Sequence, residues 1–166
     1  MPSTLQVETL VQALHSADPE ARREAIRHLA ELGEAATQSV PALESCLGHG
    51  FSSVRQEAAR ALGRIGPAAS SAIPRLTNGR PAKTYDEINA TAMALAGIGE
   101  ASVPALTEWL GHGSPYVRHI AAQALGAIGP AASAATAHLA RLLADDNSYV
   151  RQASTTALVG IHTGAG

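Results

Sequence analysis

The chain repeats itself. Arg22, Arg55, Arg118 and Arg151 recur in one frame at steps of 33, 63 and 33 residues, the middle step being two periods shortened by three. Leu29, Leu62, Leu95, Leu125 and Leu158 keep the same frame, and so do Leu10, Leu43, Leu76, Leu106 and Leu139. A fixed period of this length marks a solenoid: each unit is one supersecondary element that buries its apolar face only by stacking on its neighbours. Such arrays are more often surfaces than catalysts, so the pattern predicts a kind of device rather than a partner.

One unit shows the physics. In residues 37–69, Val40, Leu43 and Leu47 fall at i, i+3, i+7, one face of a helix. Gly48-His49-Gly50 breaks that helix, and Ser52 or Ser53 can cap the next, with Gln56 at the capping-box distance. Val54, Ala58, Ala61, Leu62 and Ile65 make a second stripe, which Gly66-Pro67 stops. Each unit therefore reads as an antiparallel helix pair. Pro41, Pro74 and Pro104 recur in the first helices, where they either kink them or sit near their starts. The reading gives a single domain over 1–166, with units at about 5–36, 37–69, 70–100, 101–132 and 133–163.

The segments SSVRQEAARALGRIG and SPYVRHIAAQALGAIG resemble HEAT-type repeats, and more closely the bacterial HEAT-like subclass of the phycobilin lyases. The resemblance covers nearly the whole chain. It implies an all-α fold, a right-handed α-solenoid of about five HEAT-like antiparallel helix pairs. It also implies that second helices line a concave face, and that an Arg near each second-helix start bonds an Asp of the preceding turn. Arg22 with Asp18, and Arg151 with Asp145 or Asp146, match that pattern. Arg55 and Arg118 lack such an Asp, and His49 and His112 stand near its position. These four arginines read as structural, their guanidinium groups satisfying carbonyls that helix ends leave unpaired.

Chemistry-bearing motifs are scarce. Of seven histidines, no pair has the i, i+4 spacing of a helical zinc site. Deoxyhypusine hydroxylase, a HEAT-repeat enzyme, binds iron through His-Glu dipeptides; this chain has none, and Arg118-His119-Ile120 is the nearest match. The lone Cys46 excludes an intrachain disulfide, sits at an apolar helix position and fits a reducing compartment. There is no Gly-x-Ser-x-Gly elbow and no phosphate-cradling glycine loop. The expectation is no catalytic residue, no metal, no cofactor and no enzyme. A net charge of −2 with 3% aromatics argues against nucleic acid, as it does against the DNA glycosylases of HEAT-like fold. The N-terminus lacks a basic region followed by an apolar run, and no apolar stretch reads as a bilayer span, so a cytoplasmic protein off the membrane is expected.

Projecting the second helices at 100° per residue leaves a strip opposite the apolar stripe: Arg23, Arg27, Gln56, Arg60, Asn89, Met93, His119, Gln123, Gln152 and Thr156. Gly63 falls on the same side. As a set the strip is the candidate binding surface for a protein or peptide partner; residue by residue it also reads as a solvated helix face. Unit three breaks the pattern, with Ile88 in the Arg place and a run of breakers after Leu76. A shortened first helix, an exposed loop at about 77–85 holding Arg80, Lys83 and Tyr85, and a tighter turn at about 99–103 are predicted. Unit five ends TTALVGIHTGAG without a polar capping helix, so end-to-end self-association or a longer chain is expected. The functional expectation is a non-catalytic scaffold or adaptor. The phycobilin-lyase resemblance supplies the alternative, a bilin carrier or lyase-like subunit whose ligand carboxylates pair with Arg23, Arg27 or Arg60.

Overall fold

Small residues at fixed places decide this architecture. The structure, a computed structural model, describes residues 4–78 and 84–164, which contain helices and no strand. The chain groups into two compact units, Met1–Ile98 and Gly99–Gly166. The first holds three helix pairs: α1 (Thr4–Ala13) with α2 (Pro19–Leu32), α3 (Val40–Cys46) with α4 (Ser52–Ile65), and α5 (Ile73–Asn78) with α6 (Tyr85–Ile98). The second holds two: α7 (Val103–Trp109) with α8 (Pro115–Ile128), and α9 (Thr136–Arg141) with α10 (Ser148–Thr163). The division falls at the turn where the sequence drops three residues.

The periodic leucines are the core. Leu29, Leu62, Leu95 and Leu125 of the second helices are fully buried, as are Leu43, Leu106 and Leu139 of the first. Each contributes about 1.5–3 kcal/mol of transfer free energy. Leu10, Leu76 and Leu158, in α1, α5 and α10, are half-buried. The α4 stripe of Val54, Ala58, Ala61, Leu62 and Ile65 is buried as the period requires.

Gly33, Gly66, Gly99 and Gly129 end second helices with φ of 54°, 81°, 85° and 71°. An L side chain is strained there, which is why the repeat keeps glycine at this place. After three of these glycines the chain runs on in 3₁₀ turns, Gly33–Ser39 kinked at Ala36, Gly66–Ala72 kinked at Ala69, and Gly129–Ala135; after Gly99 only Glu100–Ser102 is 3₁₀. That is the predicted tight turn. Pro41, Pro74 and Pro104 each occupy the second residue of a first helix, where no intrahelical N–H is lost, so they start helices and do not kink them.

Two local expectations fail. Neither Ser52 nor Ser53 caps α4: the cap position is Phe51, which makes no side-chain cap bond. Gly63, half-buried, abuts the next second helix instead of standing free in the strip. A Cβ there would stand 2.7 Å from the Ala94 Cα, and one at Gly97 would stand 2.2 Å from the Gly63 carbonyl oxygen. Gly126 of α8 lies against α10 in the same way: a Cβ there would stand 2.9 Å from the Ala157 Cα. The second helices α4 and α6, and likewise α8 and α10, thus cross on glycine and alanine, with Ala59, Ala90 and Ala94 packed together between α4 and α6.

The helical run Pro115–Ala144 contains an 18-residue stretch of mean hydropathy 1.2 and is long and apolar enough, by composition, to cross a membrane, contrary to the expectation that no stretch would be. It is not one straight rod. It comprises the 14-residue α8, the 3₁₀ segment Gly129–Ala135, the six-residue α9 and the 3₁₀ turn Leu142–Ala144, and α8 alone spans about 21 Å against a hydrocarbon core of about 30 Å.

Candidate functional site

The turn before each second helix follows one rule. Ser16, His49, His112 and Asp145 occupy the same repeat position, and each accepts the N–H two residues on: Asp18 at 3.1 Å, Phe51 at 3.2 Å, Ser114 at 3.0 Å and Asn147 at 2.9 Å. The carbonyl of the same residue accepts from the frame arginine six positions later: Arg22 to Ser16 at 2.6 Å, Arg55 to His49 at 2.7 Å, Arg118 to His112 at 2.8 Å and Arg151 to Asp145 at 2.7 Å. The structural reading of these arginines holds. The expected Asp pairing does not: Asp18 caps the N–H of Glu20, and Arg151 reaches the backbone oxygens, not the carboxylates, of Asp145 and Asp146.

The acceptor side chain instead belongs to the next repeat. Arg22 meets the His49 Nε2 at 2.9 Å, Arg55 pairs with Glu87, and Arg118 grips both Asp145 oxygens at 2.8 and 2.9 Å. Each arginine thereby pins its own turn and the following helix pair. The Arg118 bond holds the Asp145 carboxyl below its ordinary value of 3.8, with the Asn147 N–H and the Arg118 and Arg151 charges acting in the same direction. Burial, and then the charges of Arg22 and Arg55, lower the His49 imidazole from 6.5. A neutral imidazole has one lone pair, so His49 satisfies only one of the two donors that face it, whereas Asp145 satisfies all of its donors.

The candidate strip divides between the two compact units. Its outer positions, Arg27, Arg60, Met93, Gln123 and Thr156, are all exposed. Its inner positions are mixed. Arg23 is drawn into the Glu57 carboxylate at 3.2 Å and Glu20 at 2.9 Å, which raises its pKa. Gln56 is half-buried beside Arg55 and Glu87 in a water-sized pocket of about 30 Å³. His119 donates from Nδ1 to the Tyr149 carbonyl at 3.1 Å, leaving the Nε2 lone pair. Asn89 and Gln152 are exposed.

In the second unit His119 and Gln123 of α8 and Gln152 and Thr156 of α10 line one groove of about 400 Å³, floored by Gly126, Ala153 and Ala157. The small residues that let the helices meet also open this groove. His119 continues into a second hollow of about 250 Å³, walled by Tyr116 and Tyr149. The Tyr149 ring stands edge-on to His119 at 6.3 Å and is 68% exposed. The projection missed these tyrosines because they belong to the first turn of their helices. In the first unit Arg27 and Arg60 share a groove with Glu57 and Arg64, two residues the strip omitted. Of the loop candidates, Arg80 and Lys83 lie outside the described residues, and Tyr85 is the exposed first residue of α6. Among the described residues no three His, Cys, Asp or Glu side chains converge.

The profile of HEAT repeats matches residues 7–96 and 85–159. The chain belongs to the HEAT-repeat family. No curated protein sequence matches it. Among solved structures, the complex of CpcE and CpcF of phycocyanin lyase from Nostoc sp. superimposes with a TM-score of 0.68 at 26% identity, over 98% of this chain and 67% of that one. An engineered protein gives 0.65 at 28% identity, over 93% of this chain and 78% of its own. A designed armadillo repeat protein in complex with a peptide gives 0.63 at 20% identity, over 94% and 82%, a likeness of fold alone.

Proposed function

We propose that this HEAT-repeat chain is a non-catalytic scaffold or adaptor that binds a protein or peptide partner on the open face of its second helices. The observation that carries this reading is the α8–α10 groove, where two glutamine amides, a histidine and a threonine converge over a floor of small residues. Glutamine amides both donate and accept, so Gln123 and Gln152 suit the alternating N–H and C=O groups of a peptide backbone. Their helices are held by glycine crossings and the Arg118–Asp145 pair, so the surface loses little entropy on binding. The likeness to two lyase subunits found in complex supports a protein partner. The free Cys46 suits a reducing compartment such as the cytoplasm.

The same likeness favours one other reading, a bilin carrier or lyase-like subunit. Arg27 and Arg60 would take the ligand's carboxylates, since Arg23 is engaged by Glu57.

The test is affinity capture from native lysate with the parent and a Gln123→Ala/Gln152→Ala variant of unchanged melting temperature. A protein held by the parent and lost by the variant supports the reading. Equal retention removes the α8–α10 groove from it, and no specific retention sinks it. A bilin whose absorption shifts on addition of the parent would establish the second reading.

A further inference from the structure

We propose that the groove between α2 and α4 takes an acidic, extended peptide segment. The inference rests on the partner-binding reading and names the chemistry of one part of that partner. The groove measures about 310 Å³; Arg27, Arg60 and Arg64 line it with the exposed Glu31, over Ile26 and Glu57.

Two observations converge. First, its arginines are uncommitted. Arg22, Arg23 and Arg55 of the same unit are all engaged by acceptors on the next helix pair. Arg60 and Arg64 have no hydrogen-bond or ion-pair partner among the described residues, and Arg27 uses only its Nε, in a 3.5 Å contact with the Arg23 carbonyl. Arg60 and Arg64 stand at i, i+4, an arrangement that repels in an isolated helix and that an anion would relieve. Second, the floor holds an orphaned acceptor. Glu57 Oε1 takes both Arg23 bonds, while Oε2 is buried with no partner. A buried carboxylate oxygen left without a donor is costly, and a bound N–H would satisfy it.

The occupant must therefore bring negative charge to the rim and a hydrogen-bond donor to the floor. A phosphate or another simple anion meets the rim, but it puts negative charge against Glu57. An extended peptide with alternate acidic residues meets both: its side chains reach the arginines on one face, and a backbone N–H reaches Oε2 once the Glu57 carboxylate turns that oxygen toward the groove.

The test is fluorescence anisotropy with two labelled octapeptides, one alternating Glu and Ala, the other Lys and Ala. The Glu peptide binds and the Lys peptide does not. Binding of the Glu peptide weakens by at least about tenfold in Arg27→Gln/Arg60→Gln/Arg64→Gln, about one charge-assisted bond. Should the triple variant misfold, Arg60→Gln alone shows a loss in the same direction. Raising salt from about 50 to 300 mM weakens binding further. No Glu-peptide binding at about 1 mM, equal binding of both peptides, or an undiminished affinity in the arginine variants overturns the proposal. If lysate capture succeeds through the α8–α10 groove while the Glu peptide fails to bind, only this inference falls. If the Glu peptide binds and no partner is captured, the partner reading falls and the groove's chemistry stands.

Discussion

Replacing Gly97 with alanine sets two physical effects against each other. Helix propensity favours alanine by about 1 kcal/mol in a helix interior. Against that, the new Cβ would stand 2.2 Å from the Gly63 carbonyl oxygen, 2.8 Å from its carbon and 3.0 Å from its Cα. All three are backbone atoms, so no rotamer change relieves the overlap. Non-bonded contacts settle near about 3.5 Å, so α4 and α6 must part by about 1 Å. Parting them loosens the contacts among Ala59, Ala90 and Ala94. Overpacking of this kind costs about 1–3 kcal/mol, and a backbone clash this short lies at or beyond the upper end. The net expectation is a loss of about 2 kcal/mol or more, a fall in melting temperature of at least roughly 8–16 °C for a unit of this size. Gly50→Ala is the control: nothing lies within 4 Å of its Cβ and its φ is not positive, so stability holds or rises slightly. Thermal unfolding by circular dichroism reads both. A Gly97→Ala protein melting at or above the parent would show that propensity wins and that the crossing is not close.

Further expectations follow from the turns. His49→Asp gives Arg22 a carboxylate partner and still caps Phe51, as Asp145 does for its own neighbours; chemical denaturation is expected to show a gain of about 1 kcal/mol. Asp145→Asn removes the ionic half of the Arg118 pair and is expected to cost about 1–2 kcal/mol, whereas Asp146→Asn costs little; comparable losses would refute the assignment. Because the fold lowers the His49 pKa, the unfolded chain binds more protons as pH falls below about 6.5, so stability drops there; the lowered Asp145 pKa adds a second loss below about 3.8. Urea unfolding at about pH 7.5 and 5.5 should show a larger loss in the parent than in His49→Asp, and equal losses would exclude His49 as the source. Burial pushes the Cys46 thiol above its ordinary value, so alkylation of the native protein should lag far behind that of the unfolded chain.

The 33-residue period alone determined the helix pairs, the buried leucines and the glycine stops, because these depend on neighbours within one or two turns of the chain. The turn role of His49 and His112 was equally legible, since a side chain accepting the N–H two residues on is a local device. The same locality explains what stayed hidden. Arg22, Arg55 and Arg118 find their acceptors 27 to 32 residues away, on the next helix pair. Projecting one helix could not show this, and the HEAT resemblance placed the bond in the preceding turn. Nor could a projection separate Gly63, pressed against a neighbouring backbone, from Arg60, left in solvent, though both lie opposite the apolar stripe. It likewise missed Glu57 and Arg64, which join the first-unit groove only because α2 and α4 lie side by side. Sequence set which face of each helix is apolar. Tertiary packing decided which polar residues on the other faces are consumed by the next helix and which remain free to meet a partner, because burial is a property of two surfaces and a helix carries only one of them.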